Sequence, residues 1–235
     1  MSDWLQGYDV VIFGGLGTLA DCAELDLAAW NAAFCIHGLD WFWSWETYAS
    51  LTHEVGHRHL AAAYAALHGE DHRADALDAT HQKIFAAKLA QNIHLRSGVR
   101  DVLRAAAHVG RGLGFVSRSD LMPVRALLGA TARAREGISF DAVILRGDVT
   151  RHAPHPEAMQ SCIRALEVPA NKVLAIVDRG AAAYAAQDAG CHVVGFPSRL
   201  AEEGEFPADL PLLHILDITK LVRPGPDGQG QHAAE

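Results

Sequence analysis

Val10-Val11-Ile12-Phe13-Gly14-Gly15-Leu16-Gly17-Thr18-Leu19 is the stretch on which the reading of this chain turns. Val10 to Phe13 is an apolar run of β-branched and aromatic residues closed by glycines, the pattern of a strand covered on both faces. The glycines at 14, 15 and 17 let the backbone curl tightly and approach closely whatever lies at the strand's carboxyl end.

Outward from that strand, Asp26 to His37 carries Leu27, Trp30 and Phe34 at helical spacing and ends at Gly38, a helix-stopping residue. The tryptophan-dense Trp41-Phe42-Trp43-Ser44-Trp45 follows, then helical patterns over Glu46–Leu67 and Arg73–Gln91. Nothing between Leu19 and Arg96 reads as a strand, so residues 20–95 are expected to form a helical cap inserted after the first strand.

From Gly98 the texture alternates. Strand patterns at Gly112–Ser117, Phe140–Leu145, Val173–Val177, His192–Phe196 and Leu213–Leu216 are interleaved with helical ones at Val99–Ala106, Leu121–Leu128, Pro156–Leu166 and Ala181–Ala189. Such alternation predicts βαβ units and an α/β fold, a Rossmann-like parallel sheet with helices on both faces. The core is expected over 1–19 and 96–222, with a frayed tail over 223–235, rich in Pro, Gly and Gln.

Composition sets bounds. At 235 residues and 50% hydrophobic, the chain has ample material for one good-sized domain, or for a domain plus a smaller lid. A net charge of -8 without a basic block argues against nucleic acid as a partner. Cys22, Cys35, Cys162 and Cys191 are scattered, which fits reduced thiols rather than a disulfide frame. With no leader pattern in Met1–Tyr8 and no apolar run of membrane length, no membrane association and a cytoplasmic location are expected.

In doubly wound sheets, ligands sit beyond the carboxyl ends of the strands, and there the chain resembles the haloacid dehalogenase superfamily. That family's first motif reads hhhhDxDGT(L/V); Gly17, Thr18 and Leu19 match, whereas Gly14 stands at the nucleophile and Leu16 at the acid/base aspartate. Gly114-Phe115-Val116-Ser117-Arg118-Ser119 resembles the second motif, whose hydroxyl grips a phosphate oxygen; Ser117 holds that place, unless it only caps the next helix. Arg151-His152-Ala153-Pro154-His155-Pro156 resembles the KPxPDP segment of the third, with Arg151 on the lysine and His155 on the aspartate. A planar guanidinium fork replaces a point charge there. Val173 to Asp178 resembles the fourth motif, which helps to hold Mg²⁺; Asp178 is kept beside Val177.

The cap resembles the CbbY and β-phosphoglucomutase-like branch through Ala29-Trp30-Asn31, Phe34, Gly38-Leu39-Asp40-Trp41-Phe42-Trp43 and Tyr48. The branch's GGKxR substrate loop falls on Val55-Gly56-His57-Arg58-His59, where His57 and His59 replace the cationic residues. His53-Glu54-Val55-Gly56-His57 also spells HExxH, but Gly56 weakens the helix a zinc protease would need, and His59 is wrongly spaced as a third ligand. An incidental metal site at His53, His57 and His59 is the weaker alternative.

Family phosphatases form an aspartyl-phosphate, so glycine at 14 removes the nucleophile. Leu16 cannot perform the proton transfers of the second aspartate, typically worth about 10²–10⁴-fold. Asp178 is left as the obvious ligand for Mg²⁺, which wants oxygen donors. Asp9 lies on the order of 15 Å away at ~3.3 Å per residue, and neither Asp21 nor Asp148 suits in-line attack. The resemblance therefore implies a retired enzyme with no catalytic residue and no cofactor. Thr18, Ser117, Arg118 and Arg151, with Arg179, would bind an anion, and the ligand would be a phosphorylated metabolite or a protein partner. The alternative is an active sugar-phosphate phosphatase with rewired groups and Mg²⁺.

Overall fold

The computed structural model describes residues 7–55, 60–68, 74–91, 93–202 and 204–221. His57 and His59 lie outside the described residues, as does the tail expected from 223 onward.

Strand β1 (Val10–Gly14) is buried along its whole length at the centre of a parallel sheet. It pairs on one side with β2 (Gly112–Val116) and on the other with β4 (Val173–Val177); β3 (Ala142–Ile144) and β5 (His192–Gly195) flank these, giving the order β3-β2-β1-β4-β5. Alternate residues feed two cores. Val11, Phe13, Phe115 and Ile176 pack on one face with α6 (Val99–His108) and α7 (Leu121–Thr131). Val10, Ile12, Ala175 and Val177 pack on the other with α8 (Glu157–Ala165) and α9 (Gly180–Asp188). Burial of both faces explains why the strands read as unbroken apolar runs.

The register decides the site. Gly14 stands opposite Val116 and Val177, so the next residues of three strands, Gly15, Ser117 and Asp178, emerge side by side at the carboxyl edge. There the chain turns into a short helix, α1 (Leu16–Leu19).

Between α1 and α6 lie α2 (Ala23–Ile36), α3 (Trp45–Val55), α4 (Leu60–Leu67) and α5 (Ala74–Gln91). Trp30, Phe34, Trp43 and Tyr48 form their shared aromatic core, and the core-side Leu200 joins it. Asn31 holds the tryptophan-dense loop by a pair of hydrogen bonds with the Trp43 backbone, at 2.8 and 3.0 Å.

Two expectations are corrected. Leu213–Leu216 is not a strand: beside β5 there is a bridge from Gly195 to Leu212 and a hydrogen bond from Leu213 N to the Gly195 carbonyl (2.8 Å), and no ladder. Pro197 has no N–H to donate to the Leu213 carbonyl, where the parallel pairing would continue, and Leu212 and Ile215 are exposed rather than packed. The third strand starts at Ala142 rather than Phe140, because the Asp141 carboxylate accepts from Leu113 N (2.8 Å) where a ladder bond would form. All the cysteines are free. No helix among the described residues is long and apolar enough to cross a membrane.

Candidate functional site

A cavity of about 730 Å³ opens between the carboxyl edge of the sheet and the inserted helices. Its floor is the Gly14–Gly17 turn, Ser117 and Arg118 after β2, Arg146 and the His152–His155 loop after β3, and Asp178 and Arg179 after β4. Its roof comes from α2, α3 and α5, through Asp26, Trp30, Tyr48 and His81.

Asp178 is the buried hub of the floor. Its carboxylate lies directly on the turn: a Cβ added at Gly15 or Gly17 would collide with its oxygens, and Gly15 also has a φ of 115° that other residues rarely adopt. Burial pushes the Asp178 carboxyl above the usual carboxylate range, against the pull of Arg179, Arg96 and Arg118. Gly14 is closed off differently. A Cβ there would meet Met159 Cε and Val177 Cγ1, each at 2.9 Å, so a side chain at 14 would have to displace those groups.

The guanidinium groups sort into three kinds. Arg96 is structural: it donates to the carbonyls of Gly17 (2.6 Å), Phe196 (3.0 Å) and Pro197 (2.8 Å), and lies over the Phe196 ring. Arg179 is ion-paired with Glu205 at 3.0 Å, while Glu205 also accepts from Gly180 N at 2.8 Å. Arg118 lines the cavity beside Arg146 and Arg179. Burial lowers its pKa, the like charges of Arg179 and Arg146 lower it further, and Asp178 opposes them. A guanidinium gathered with its own kind and partly desolvated is primed for an anion.

Ser117 is buried on the cavity wall, where its Oγ accepts from Ser119 N (3.1 Å); Asp120 is the N-cap of α7, so Ser117 does not cap that helix. Two expected anion ligands are placed elsewhere. Thr18 is fully buried off the cavity wall, its hydroxyl donating to the Gly15 carbonyl at 2.7 Å, so it stabilises the turn instead. Arg151 also lies off the wall, two-thirds exposed, with its Nε 3.3 Å from Glu157 Oε2. The carboxylate at the start of α8 draws it outward.

The roof holds a closed polar cluster. Asp26 Oδ1 accepts from His81 Nε2 at 2.6 Å and Oδ2 from the Tyr48 hydroxyl. His81 lies flat on Trp30, ring centroids 3.9 Å apart. Burial, then the Asp26 charge, holds the Tyr48 phenol well above its ordinary pKa. His53 of α3 is engaged within the protein: its Nε2 is 3.0 Å from Glu202 Oε1, 3.1 Å from Arg179 Nη2 and 3.2 Å from the Leu200 carbonyl, while its expected metal-site companions His57 and His59 lie outside the described residues. Among the described residues, no group of three or more His, Cys, Asp and Glu is placed to hold a metal ion.

The sequence model of the haloacid dehalogenase-like hydrolases matches residues 12–196. The chain belongs to this haloacid dehalogenase-like hydrolase family. Within it the similarity runs to the CbbY and phosphoglucomutase-like branch. The protein CbbY of Rhodobacter capsulatus is 28% identical over 202 residues, covering 84% of this chain and 89% of that one. The plasmid-encoded CbbY of Cupriavidus necator is 29% identical over 217 residues, covering 88% and 85%. The crystal structure of CbbY from Rhodobacter sphaeroides in complex with phosphate superposes with a TM-score of 0.79 at 26% identity, covering 88% of this chain and 94% of that chain. A mutant of the same protein, in complex with xylulose-1,5-bisphosphate, superposes equally well.

For a haloacid dehalogenase-like protein the donor set here does not fit the family's divalent cation. Asp178 is the carboxylate that meets the Gly14–Gly17 turn, with the charges of Arg179, Arg96 and Arg118 acting on it, and among the described residues no three His, Cys, Asp or Glu are grouped to hold the ion. Gly14 and Leu16 bring no carboxylate to the turn. Asp9 pairs with Arg111 (3.1 Å) at the far end of β1, and Asp148 accepts from Leu145 N (2.7 Å) off the cavity wall. Asp21 is on the wall but exposed. The buried Cys22 thiol is pushed up by burial and by Asp26, which keeps it protonated.

Reading the sequence missed Arg96, Arg146, Glu205 and the Asp26–Tyr48–His81 cluster. No motif flags Arg96, Arg146, Glu205, Asp26 or His81, because their partners are distant in the chain, and Tyr48 entered only through the cap resemblance, without its partners. The helical spacing of Trp30 and Phe34 was a partial signal, since it marks the helix that carries Asp26.

Proposed function

We propose that this chain is a catalytically silent member of the family that holds a phosphorylated metabolite, most simply a sugar phosphate, or a partner bearing such a group, at the carboxyl edge of its sheet. The observation that carries this reading is the state of the first-motif turn. Gly14 supplies no nucleophile, a side chain there would have to displace Met159 and Val177, and Asp178 rests on the turn under the charges of Arg179, Arg96 and Arg118. A floor with cations and hydroxyls but no attacking group favours binding without turnover. The bound phosphate and sugar bisphosphate named for the Rhodobacter sphaeroides relative support a ligand of that class.

A generic phosphatase assay with Mg²⁺, paired with thermal-shift titrations against sugar phosphates, tests this. The expected result is stabilisation without hydrolysis above buffer. Hydrolysis abolished by Asp178→Ala would establish the rewired-hydrolase reading instead, and no stabilisation by any phosphate would remove the binding reading.

A further inference from the structure

The third-motif segment puts its charged residue outside the cavity and a histidine inside it. Arg151 is held at the surface by Glu157, while His155 is half-buried on the cavity wall. Neighbouring Ala153 and Pro154 share a smaller recess with Arg118 and Arg179, so this loop borders the arginines of the floor.

The hydrogen bonding of His155 decides what it can do. The backbone N–H of Glu157, at the start of α8, donates to His155 Nδ1 at 3.2 Å. A backbone amide can only donate, so Nδ1 is the unprotonated nitrogen and the neutral ring carries its proton on Nε2. His155 N in turn donates to the His152 carbonyl at 2.9 Å, which holds the loop that aims the ring. An imidazole fixed in this form presents an N–H donor and no lone pair, so it can grip an oxyanion but cannot attack phosphorus.

Resting on the binding reading above, we infer that His155 Nε2–H is the donor which the β3 loop contributes to a bound phosphate group, working with Arg118 across the floor, and that Arg151 has no part in it. The loop therefore gives the ligand a directional hydrogen bond without a charge. Positive charge comes from the arginine side, which suits one phosphate group held at the floor rather than two.

The test uses the full chain and inorganic phosphate, followed by calorimetry and by ¹H–¹⁵N spectra of the imidazoles. Free protein should show the Nε2–H form for His155, and phosphate should shift that resonance. His155→Phe should weaken phosphate binding roughly tenfold or more, as for a lost hydrogen bond to a charged group. His155→Gln, which restores a donor at similar reach, should recover most of the affinity, and Arg151→Ala should leave it unchanged. If the wild type binds phosphate and Arg118→Ala weakens it while His155→Phe does not, the assignment of His155 is overturned and the binding reading stands. An Nδ1–H form in the spectra, or a larger loss from Arg151→Ala than from His155→Phe, overturns it as well. If the wild type binds no phosphate, both fall together.

Discussion

The floor and the roof of the cavity treat buried charge in opposite ways. On the roof, both Asp26 oxygens are taken by Tyr48 and His81, inside a shell of Trp30 and Phe85. On the floor, Asp178 is also buried, and burial disfavours its ionised form against the opposing charges of Arg179, Arg96 and Arg118. The roof spends its polar groups on itself and so is structural. The floor gathers the guanidinium groups of Arg118, Arg146 and Arg179 on the cavity wall, which is what the proposed binding of an anion would require. The difference teaches that burial of a carboxylate says little until its partners are counted.

The largest effect that sharpens this contrast is Asp26→Ala. It strands the Tyr48 hydroxyl and the His81 ring inside the aromatic core, and should cost about 3 kcal/mol by denaturant unfolding, in line with breaking a buried charged network. Asp178→Asn should cost less than about 1 kcal/mol, because burial already works against its charge. Equal losses at the two aspartates would break the comparison.

Next in size is restoration of the family carboxylates. Gly14→Asp with Leu16→Asp should destabilise by roughly 1–3 kcal/mol, since the new side chain at 14 overpacks against Met159 and Val177. It should also fail to produce phosphatase activity. Adding Met159→Ala should recover part of the stability; robust turnover in the double variant alone would mean that the floor is still organised for catalysis.

The smallest effect concerns acid. The Thr150 backbone N–H foremost, helped by the Thr150 hydroxyl and the Arg151 guanidinium, lowers the Glu157 carboxyl from 4.5 to about 2. Its contribution is complete above pH 4.5 and disappears as the pH falls toward about 2, where the folded protein also takes up the proton. Unfolding midpoints measured across that window should fall less steeply for Glu157→Gln than for the wild type. Identical slopes would show that Glu157 does not hold the loop.

Much of the floor was legible because it follows from strand ends. Apolar runs fix β1, β2 and β4, and the residue after each run is the one that emerges at the edge, which is how Ser117 and Asp178 were found. Thr18 and Arg151 escaped the same logic. Their positions in the chain were right, but a backbone carbonyl three residues back and a carboxylate six residues on took their side chains away. The Asp26–Tyr48–His81 cluster was invisible because its members lie 22 and 55 residues apart.

By itself the sequence determined the parallel α/β core, the helical character of the stretch between the first two strands, and a first turn with Gly14 and Leu16 in place of carboxylates; these depend on local pattern and residue identity. Only the tertiary structure decided that Met159 and Val177 crowd Gly14, that Arg96 binds carbonyls while Arg118 lines the cavity, and that His155 rather than Arg151 borders it. Those outcomes are competitions between partners far apart in the chain, and a competition is resolved only once folding has brought the rivals within reach.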